Sequence, residues 1–289
     1  MERVPARLAR TTFAPGSVLL GRFRIDGLVG RGSAAEVLGA LDEREGGRVV
    51  VKVPKDECLK RPLERERFRR ETTFLMRLVH PGVVRMLAAG EERGIAFAVL
   101  AHLPGGSLLD RMRPPDAPAG RALPLDRLAR PLLDVAGALD HIHAEGVLHR
   151  DLKPTNVLFD AAGAALVSDF GLAKAIHGES SLTPKGLAVG TPAYLAPEQI
   201  RDLRLTARCD QYALAVMMYE ALSGRTPFSG ESLGRLLLQK SRGDAPSLAL
   251  AAPNAAPHVV AAVDRALQRD AAARFATCLE FARALLGEA

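Results

Sequence analysis

The spacing of hydrophobic and polar positions changes character along the chain, from strand-like in the first third to helical beyond it. Arg22-Phe23-Arg24-Ile25 alternates, which predicts a strand from about Gly21. Val49-Val50-Val51-Lys52-Val53 is an apolar run broken by one charge. Val83-Val84-Arg85-Met86-Leu87 and Ala96-Phe97-Ala98-Val99-Leu100 are two further strand candidates on either side of a turn at Arg93-Gly94. Between Val53 and Val83, Leu63 to Leu78 has helical spacing with Phe68, Leu75 and Leu78 on one face. Pro104-Gly105-Gly106 then breaks the pattern. Pro114 to Pro124 is rich in proline and glycine and predicts a surface insertion. Leu125 to Gly146 predicts a helix with Leu128, Leu132, Val135, Leu139 and Ile142 inward and Gly146 as its stop. Two short runs, Val157-Leu158-Phe159 and Ala165-Leu166-Val167, flank a turn at Gly163. Asp210 to Glu220 is an apolar helix closed by Ser223-Gly224, and its aspartate is a candidate cap.

Composition narrows the class. A chain of 289 residues, 48% hydrophobic and 25% charged, is long enough for two lobes and describes a globular protein. The net charge of +6 is spread over scattered residues, and no Lys/Arg tract alternates with aromatics, so nucleic acid binding is not expected. Cys58, Cys209 and Cys278 share no metal-type spacing and leave an odd thiol, which fits reduced cysteines in a cytoplasmic protein. No apolar run reaches membrane-spanning length, since Glu220 interrupts Ala213 to Leu222. Met1 to Arg10 is basic without an apolar core behind it and is expected to be a loose tail rather than a secretion signal. His141 and His143 lack a third ligand and are expected at the surface.

The chemistry concentrates in His149-Arg150-Asp151-Leu152-Lys153-Pro154-Thr155-Asn156 and, shortly after, Asp169-Phe170-Gly171. Two carboxylates brought to one cleft repel each other unless a cation or a proton sits between them. Asp and Asn oxygens suit a hard divalent metal such as Mg²⁺, which commonly bridges phosphates. Upstream, Gly30-Arg31-Gly32 would let backbone amides approach phosphate oxygens, and a buried Lys52 would need an anion. Together these strings resemble the eukaryotic-like (Hanks-type) serine/threonine protein kinases of bacteria, over about Gly21 to Leu286.

The resemblance implies an α+β, two-lobed fold: an antiparallel sheet with one main helix, hinged to a larger helical lobe. The expected layout is a tail over 1–20, a small lobe over 21–103 and a large lobe over 104–289. ATP and Mg²⁺ (or Mn²⁺) would bind between the lobes. Asp151 would orient the substrate hydroxyl and accept its proton, Lys153 would neutralise the moving phosphoryl group, and Asn156 and Asp169 would ligate the metal. Lys52 would grip phosphates and pair with Glu71. Gly30, Gly32, Val37, Val50, Leu100, Ala101, Leu103 and Leu158 would line the nucleotide site, with the backbone of Ala101 and Leu103 on the purine. Leu75, Met86, His149 and Phe170 match positions that stack across the lobes in active members. The chain departs from the family at Ala35, where a third glycine is usual, and at Val50, where alanine is usual.

The string Gly190-Thr191-Pro192-Ala193-Tyr194-Leu195-Ala196-Pro197-Glu198 resembles the substrate-docking turn and Ala-Pro-Glu anchor, which favours protein substrates over small molecules. Arg274 matches the residue that pairs with the anchor glutamate, here Glu198. Arg67, Arg150 and Lys174 match a pocket for a loop phosphate, with Thr183 as the first candidate acceptor and Ser180 and Ser181 behind it. A homodimer is a candidate arrangement for autophosphorylation in trans. The competing expectation is a pseudokinase, a nucleotide-binding scaffold, which Ala35 and Val50 favour and the intact Lys52, Glu71, Asp151, Asn156 and Asp169 oppose.

Overall fold

Six strands form one antiparallel sheet in the order β1-β2-β3-β4-β6-β5: β1 (Val18–Leu19), β2 (Phe23–Arg31), β3 (Ala35–Asp42), β4 (Arg48–Pro54), β5 (Met86–Glu92) and β6 (Ile95–Ala101). This is a computed structural model that describes residues 12–32, 35–55, 62–117, 120–169, 192–201, 203–230 and 232–288. The described residues divide into two compact units, one running to Arg77 with Arg85–His102, the other comprising Leu78–Val84 and everything from Leu103.

In the sheet unit, β4 resolves the conflict posed by a lysine in an apolar run. Val49, Val51 and Val53 are buried with Leu38, Phe97 and Val99, while Val50 and Lys52 face the other way and are half-buried. Period-two alternation keeps the charge out of the core. Helix α1 (Pro62–Leu75) buries Phe68, Thr72 and Leu75 at helical spacing and packs beside β5. Leu78, expected on the same face, is buried beyond the helix end. The tail expected over 1–20 is partly built in. Phe13 and Leu19 are core residues, Phe13 meets the Phe97 ring edge-on at 5.9 Å, and Val18 and Leu19 pair with β2.

The predicted strand at Val83 starts three residues late. The Val84 N–H donates to the Val167 carbonyl at 2.9 Å, so Val83 and Val84 belong to the helical unit and β5 begins at Met86. Gly82 explains the detour, since a Cβ there would lie 3.0 Å from both the Ala138 Cβ and the Asp134 carbonyl.

In the helical unit, α2 (Leu108–Met112) starts with a capping box between Ser107 and Asp110. Helix α3 (Leu125–Ala144) buries the five predicted residues, and the hairpin β7 (Val157–Phe159) and β8 (Ala165–Val167) turns at Gly163, φ +86°. The short α4 (Pro197–Ile200) precedes α5 (Arg208–Ser223), buried almost all round and ended by Gly224 in the left-handed region, φ +77°. Helices α6 (Leu233–Arg242), α7 (Pro257–Ala266) and α8 (Cys278–Leu286) complete the unit.

Candidate active site

The sheet unit carries the glycine hairpin and the lysine. In the β2–β3 register Gly30 faces Val37 and Arg31 faces Glu36, and the Gly32 N–H donates to the Ala35 carbonyl at 2.9 Å. Ala35 itself, on β3, pairs with Pro54 on β4, a strand position that accommodates a Cβ. Arg31 Nε donates to Glu36 Oε1 at 3.0 Å. The other oxygen of Glu36 accepts from the backbone and hydroxyl of Thr12, at 3.0 and 2.6 Å. Lys52 lies opposite Val37 on β3 and Ala98 on β6, and Val50 opposite Gly39 and Leu100, so these residues share one face of the sheet. The Ala101 N–H donates to the Arg85 carbonyl at 3.0 Å, so this amide is used within the sheet unit.

In the helical unit, the loop from His149 to Asn156 is held from several directions. Asp210, buried in the first turn of α5, accepts from the amides of His149 and Arg150 at 2.8 Å each and from His143 Nε2 at 2.8 Å. Burial alone would push its carboxyl up, but the bonds from His143 and the Arg150 amide hold it below the ordinary carboxylate range. Asp210 therefore serves the loop and not the helix end, whose N-cap position is Ala207. Gln199 Nε2 on α4 donates to the Arg150 carbonyl at 3.0 Å, and His149 Nε2 bonds the Ser168 carbonyl at 2.9 Å.

So braced, the loop brings three predicted residues together. Lys153 Nζ donates to Asp151 Oδ2 at 2.6 Å, and Asn156 Nδ2 donates to the Asp151 carbonyl at 2.8 Å. The second bond fixes the Asn156 amide, whose Oδ1 accepts from the Thr155 hydroxyl at 3.4 Å and keeps a second lone pair for a ligand. The Ser168 N–H donates to the Asn156 carbonyl at 2.8 Å, which sets Asp169 one residue beyond that tie. Arg150 and Asp169 both adopt the left-handed region, φ +66° and +64°, which non-glycine residues seldom enter. An amide oxygen and a carboxylate, with no thiolate or imidazole in the set, fit a hard divalent cation such as Mg²⁺. Leu158 is half-buried on β7, which the connector after Leu103 reaches through a Gly105 N–H to Phe159 carbonyl bond of 2.8 Å.

Three polar positions escaped the sequence pattern. His143 is almost buried against Asp210, and His141 stacks on His80 at 4.6 Å, so neither is the surface histidine expected. The fold also brings Asp140 and Cys278 within 4.8 Å of His143, the third-ligand candidates that sequence spacing lacked. All three are otherwise engaged. Asp140 accepts from the amides of Cys278 and Leu279 at 2.8 and 3.0 Å, and burial pushes the Cys278 thiol well up, away from the thiolate a metal needs. Lys240, fully buried on α6, reaches the Ala193 carbonyl in the turn before α4. The expected pairing of Arg274 with Glu198 is present as a bidentate bond, 2.8 and 2.9 Å, with both side chains buried. Phe170, Lys174, Ser180, Ser181, Thr183, Thr191 and Cys58 lie outside the described residues, as do the side chains of Arg67 and Glu71.

The likenesses to known proteins agree with this layout. A model of the protein kinase domain family matches residues 23–278. The DNA damage-responsive serine/threonine-protein kinase RqkA of Deinococcus radiodurans is 40% identical over 228 residues, covering 78% of this chain and 33% of its own. The serine/threonine-protein kinase pkn2 of Myxococcus xanthus is 36% identical over 280 residues, 94% of this chain and 33% of its own. The chain thus spans about a third of the length of these two relatives. The crystal structure of the Mycobacterium tuberculosis PknI kinase domain is similar with a TM-score of 0.75 at 27% identity, covering 96% of this chain and 100% of that one. With its sheet unit, its helical unit and its braced His149–Asn156 loop, this chain belongs to the protein kinase domain family, among the bacterial Hanks-type serine/threonine kinases.

Proposed function

We propose that this chain transfers the γ-phosphoryl group of ATP to serine and threonine hydroxyls of protein substrates. The observation that carries this reading is the joint fixing of Asp151, Lys153 and Asn156 by bonds of 2.6 and 2.8 Å. Asp151 would accept a hydrogen bond from the incoming hydroxyl and take its proton as the new P–O bond forms. Lys153, held beside it, would offset negative charge on the transferring group, and Lys52 would hold the α and β phosphates. Bound Mg²⁺, or Mn²⁺ in its place, would neutralise and orient phosphate oxygens, with Asn156 Oδ1 and the Asp169 carboxylate as its protein ligands. Such a transition state makes few covalent demands, so positioning and electrostatics supply most of the acceleration. The Asp210, Gln199 and Ser168 contacts would supply the positioning. We place the activity in the cytoplasm; among the described residues, no helix is long and apolar enough to cross a membrane.

Incubation with γ-labelled ATP and a generic protein substrate, followed by phosphoamino-acid separation, tests the chemistry. Label on serine and threonine is expected. Nucleotide bound without transfer would support the scaffold reading, and label on tyrosine alone would overturn the serine/threonine assignment. Autophosphorylation at Thr183, Ser181 or Ser180, in trans within a homodimer, is part of this proposal. Mass spectrometry finding no phosphate between Leu172 and Val189 after incubation with ATP would remove that part alone.

A further inference from the structure

Away from the catalytic loop, the helical unit has a cavity of about 940 Å³ beneath α4. Its walls are the loop after α4, the start of α5, the end of α6 and the turn at Arg269–Ala271. Five arginines line it: Arg201, Arg204, Arg208, Arg242 and Arg269. Among the described residues two carboxylates face them, and one of these, Glu198, is neutralised by Arg274. Glu198 gives both oxygens to Arg274, and Asp270 Oδ1 accepts from the Ala272 amide at 2.9 Å. Among the described residues, none of the five arginines forms an ion pair with an acidic side chain.

The walls are tied to one another from below. The buried Arg274 donates to the Arg208 carbonyl at 2.8 Å and to the Arg269 carbonyl at 3.2 Å. Arg269 Nη1 in turn donates to the Arg242 carbonyl at 2.9 Å. The backbone carrying three of the cationic side chains is thus fixed before any ligand arrives. Arginines gathered on one concave surface repel one another and favour an anion shared among them. The guanidinium fork matches phosphate oxygens two at a time, and a phosphate monoester carries nearly two negative charges at neutral pH. The volume exceeds what one phosphate fills. Leu203 and Ala271 add apolar wall, and Thr206 and Ser241 add hydroxyls, which suits a phosphate still attached to a short stretch of chain.

We propose that this arginine-lined cavity is a docking site for a phosphorylated protein segment, separate from the catalytic loop. The site takes the product class of the proposed reaction, but binding there needs no transfer activity and can be measured with nucleotide absent. The probe is a short fluorescein-labelled peptide with one phosphoserine between two glutamates, followed by fluorescence anisotropy. Its unphosphorylated twin, inorganic phosphate and a single-stranded oligonucleotide of similar length are the competitors. The phosphopeptide is expected to bind about tenfold or more tighter than its twin, and the double variant Arg204→Ala/Arg242→Ala to lose about tenfold or more of that affinity. Both side chains are exposed, so the unfolding temperature should not move. Arg242→Glu alone should give the same loss, so the test does not hang on one variant. Equal affinity for the two peptides, or a phosphopeptide affinity that the folded variants leave unchanged, would overturn the site. Tighter binding of the oligonucleotide through the same arginines would overturn the assignment to protein.

Discussion

At the scale of single residues, Arg274 and Lys240 show how differently two buried cations can be held. All five N–H groups of Arg274 are used: Nε on the Gln268 carbonyl, and Nη1 and Nη2 on Glu198 and on the Arg208 and Arg269 carbonyls. Its removal takes the partner from a buried carboxylate and a donor from three backbone carbonyls, so Arg274→Ala should cost about 3–5 kcal/mol in chemical denaturation. Arg274→Lys should recover little, because an ammonium has three donors and no fork. An unchanged denaturation midpoint for Arg274→Ala would contradict this. Lys240 has no such anion. Burial pushes its ammonium down to about 7 from an ordinary 10.5, although its Nζ also bonds the Ala193 carbonyl and lies 5.4 Å from the centre of the Tyr212 ring. Between those two values the unfolded chain holds a proton that the folded chain has lost. Stability should therefore rise with pH across that window, by at most about 1.4 kcal/mol per pH unit from this group, with the penalty fully present below pH 7. Lys240→Met should be more stable than wild type at pH 6 and should flatten the rise; a wild-type slope retained in the variant would contradict the assignment.

At the scale of elements, the catalytic loop is positioned by supports far away in sequence. Asp210 lies on α5, Gln199 on α4, and the connector docks on β7 through Gly105, where a Cβ would come within 2.6 Å of the Phe159 carbonyl and 2.7 Å of the Asp160 carbonyl. No side chain can move to relieve a clash with two backbone oxygens. Gly105→Ala should therefore cost about 1–3 kcal/mol, seen as a lower denaturation midpoint, and a midpoint equal to wild type would argue against the close approach. Asp210→Asn removes the charge facing the His149 and Arg150 amides and His143. It should lower the rate constant for transfer more than it raises the KM for ATP, because the loop and not the nucleotide is disturbed. The opposite split would assign Asp210 to ligand binding.

At the scale of the whole molecule, the sequence made visible what depends on local periodicity and on contiguous strings. The alternation in β4 explains Lys52, the inward face of α3 follows helical spacing, and Arg274 finds Glu198 across the chain as the family pattern implied. What stayed hidden depends on long-range closure. Phe13 and Leu19 precede any legible pattern yet enter the sheet core, and Val83 and Val84 resemble strand residues but join the helical unit through Val167. His143 meets Asp210 only after two helices pack, and Lys240 reads as an ordinary solvated lysine until Ala193 is brought to it. Periodicity cannot specify such partners, because it reports which face is buried and not what lies opposite. The central claim is that Asp151, fixed beside Lys153 and Asn156, directs the transfer of phosphate, and a single-turnover measurement with Asp151→Asn tests it most directly. The transfer rate should fall by about 10²–10⁴ while nucleotide affinity stays near the wild-type value. A variant that transfers phosphate at the wild-type rate would contradict it.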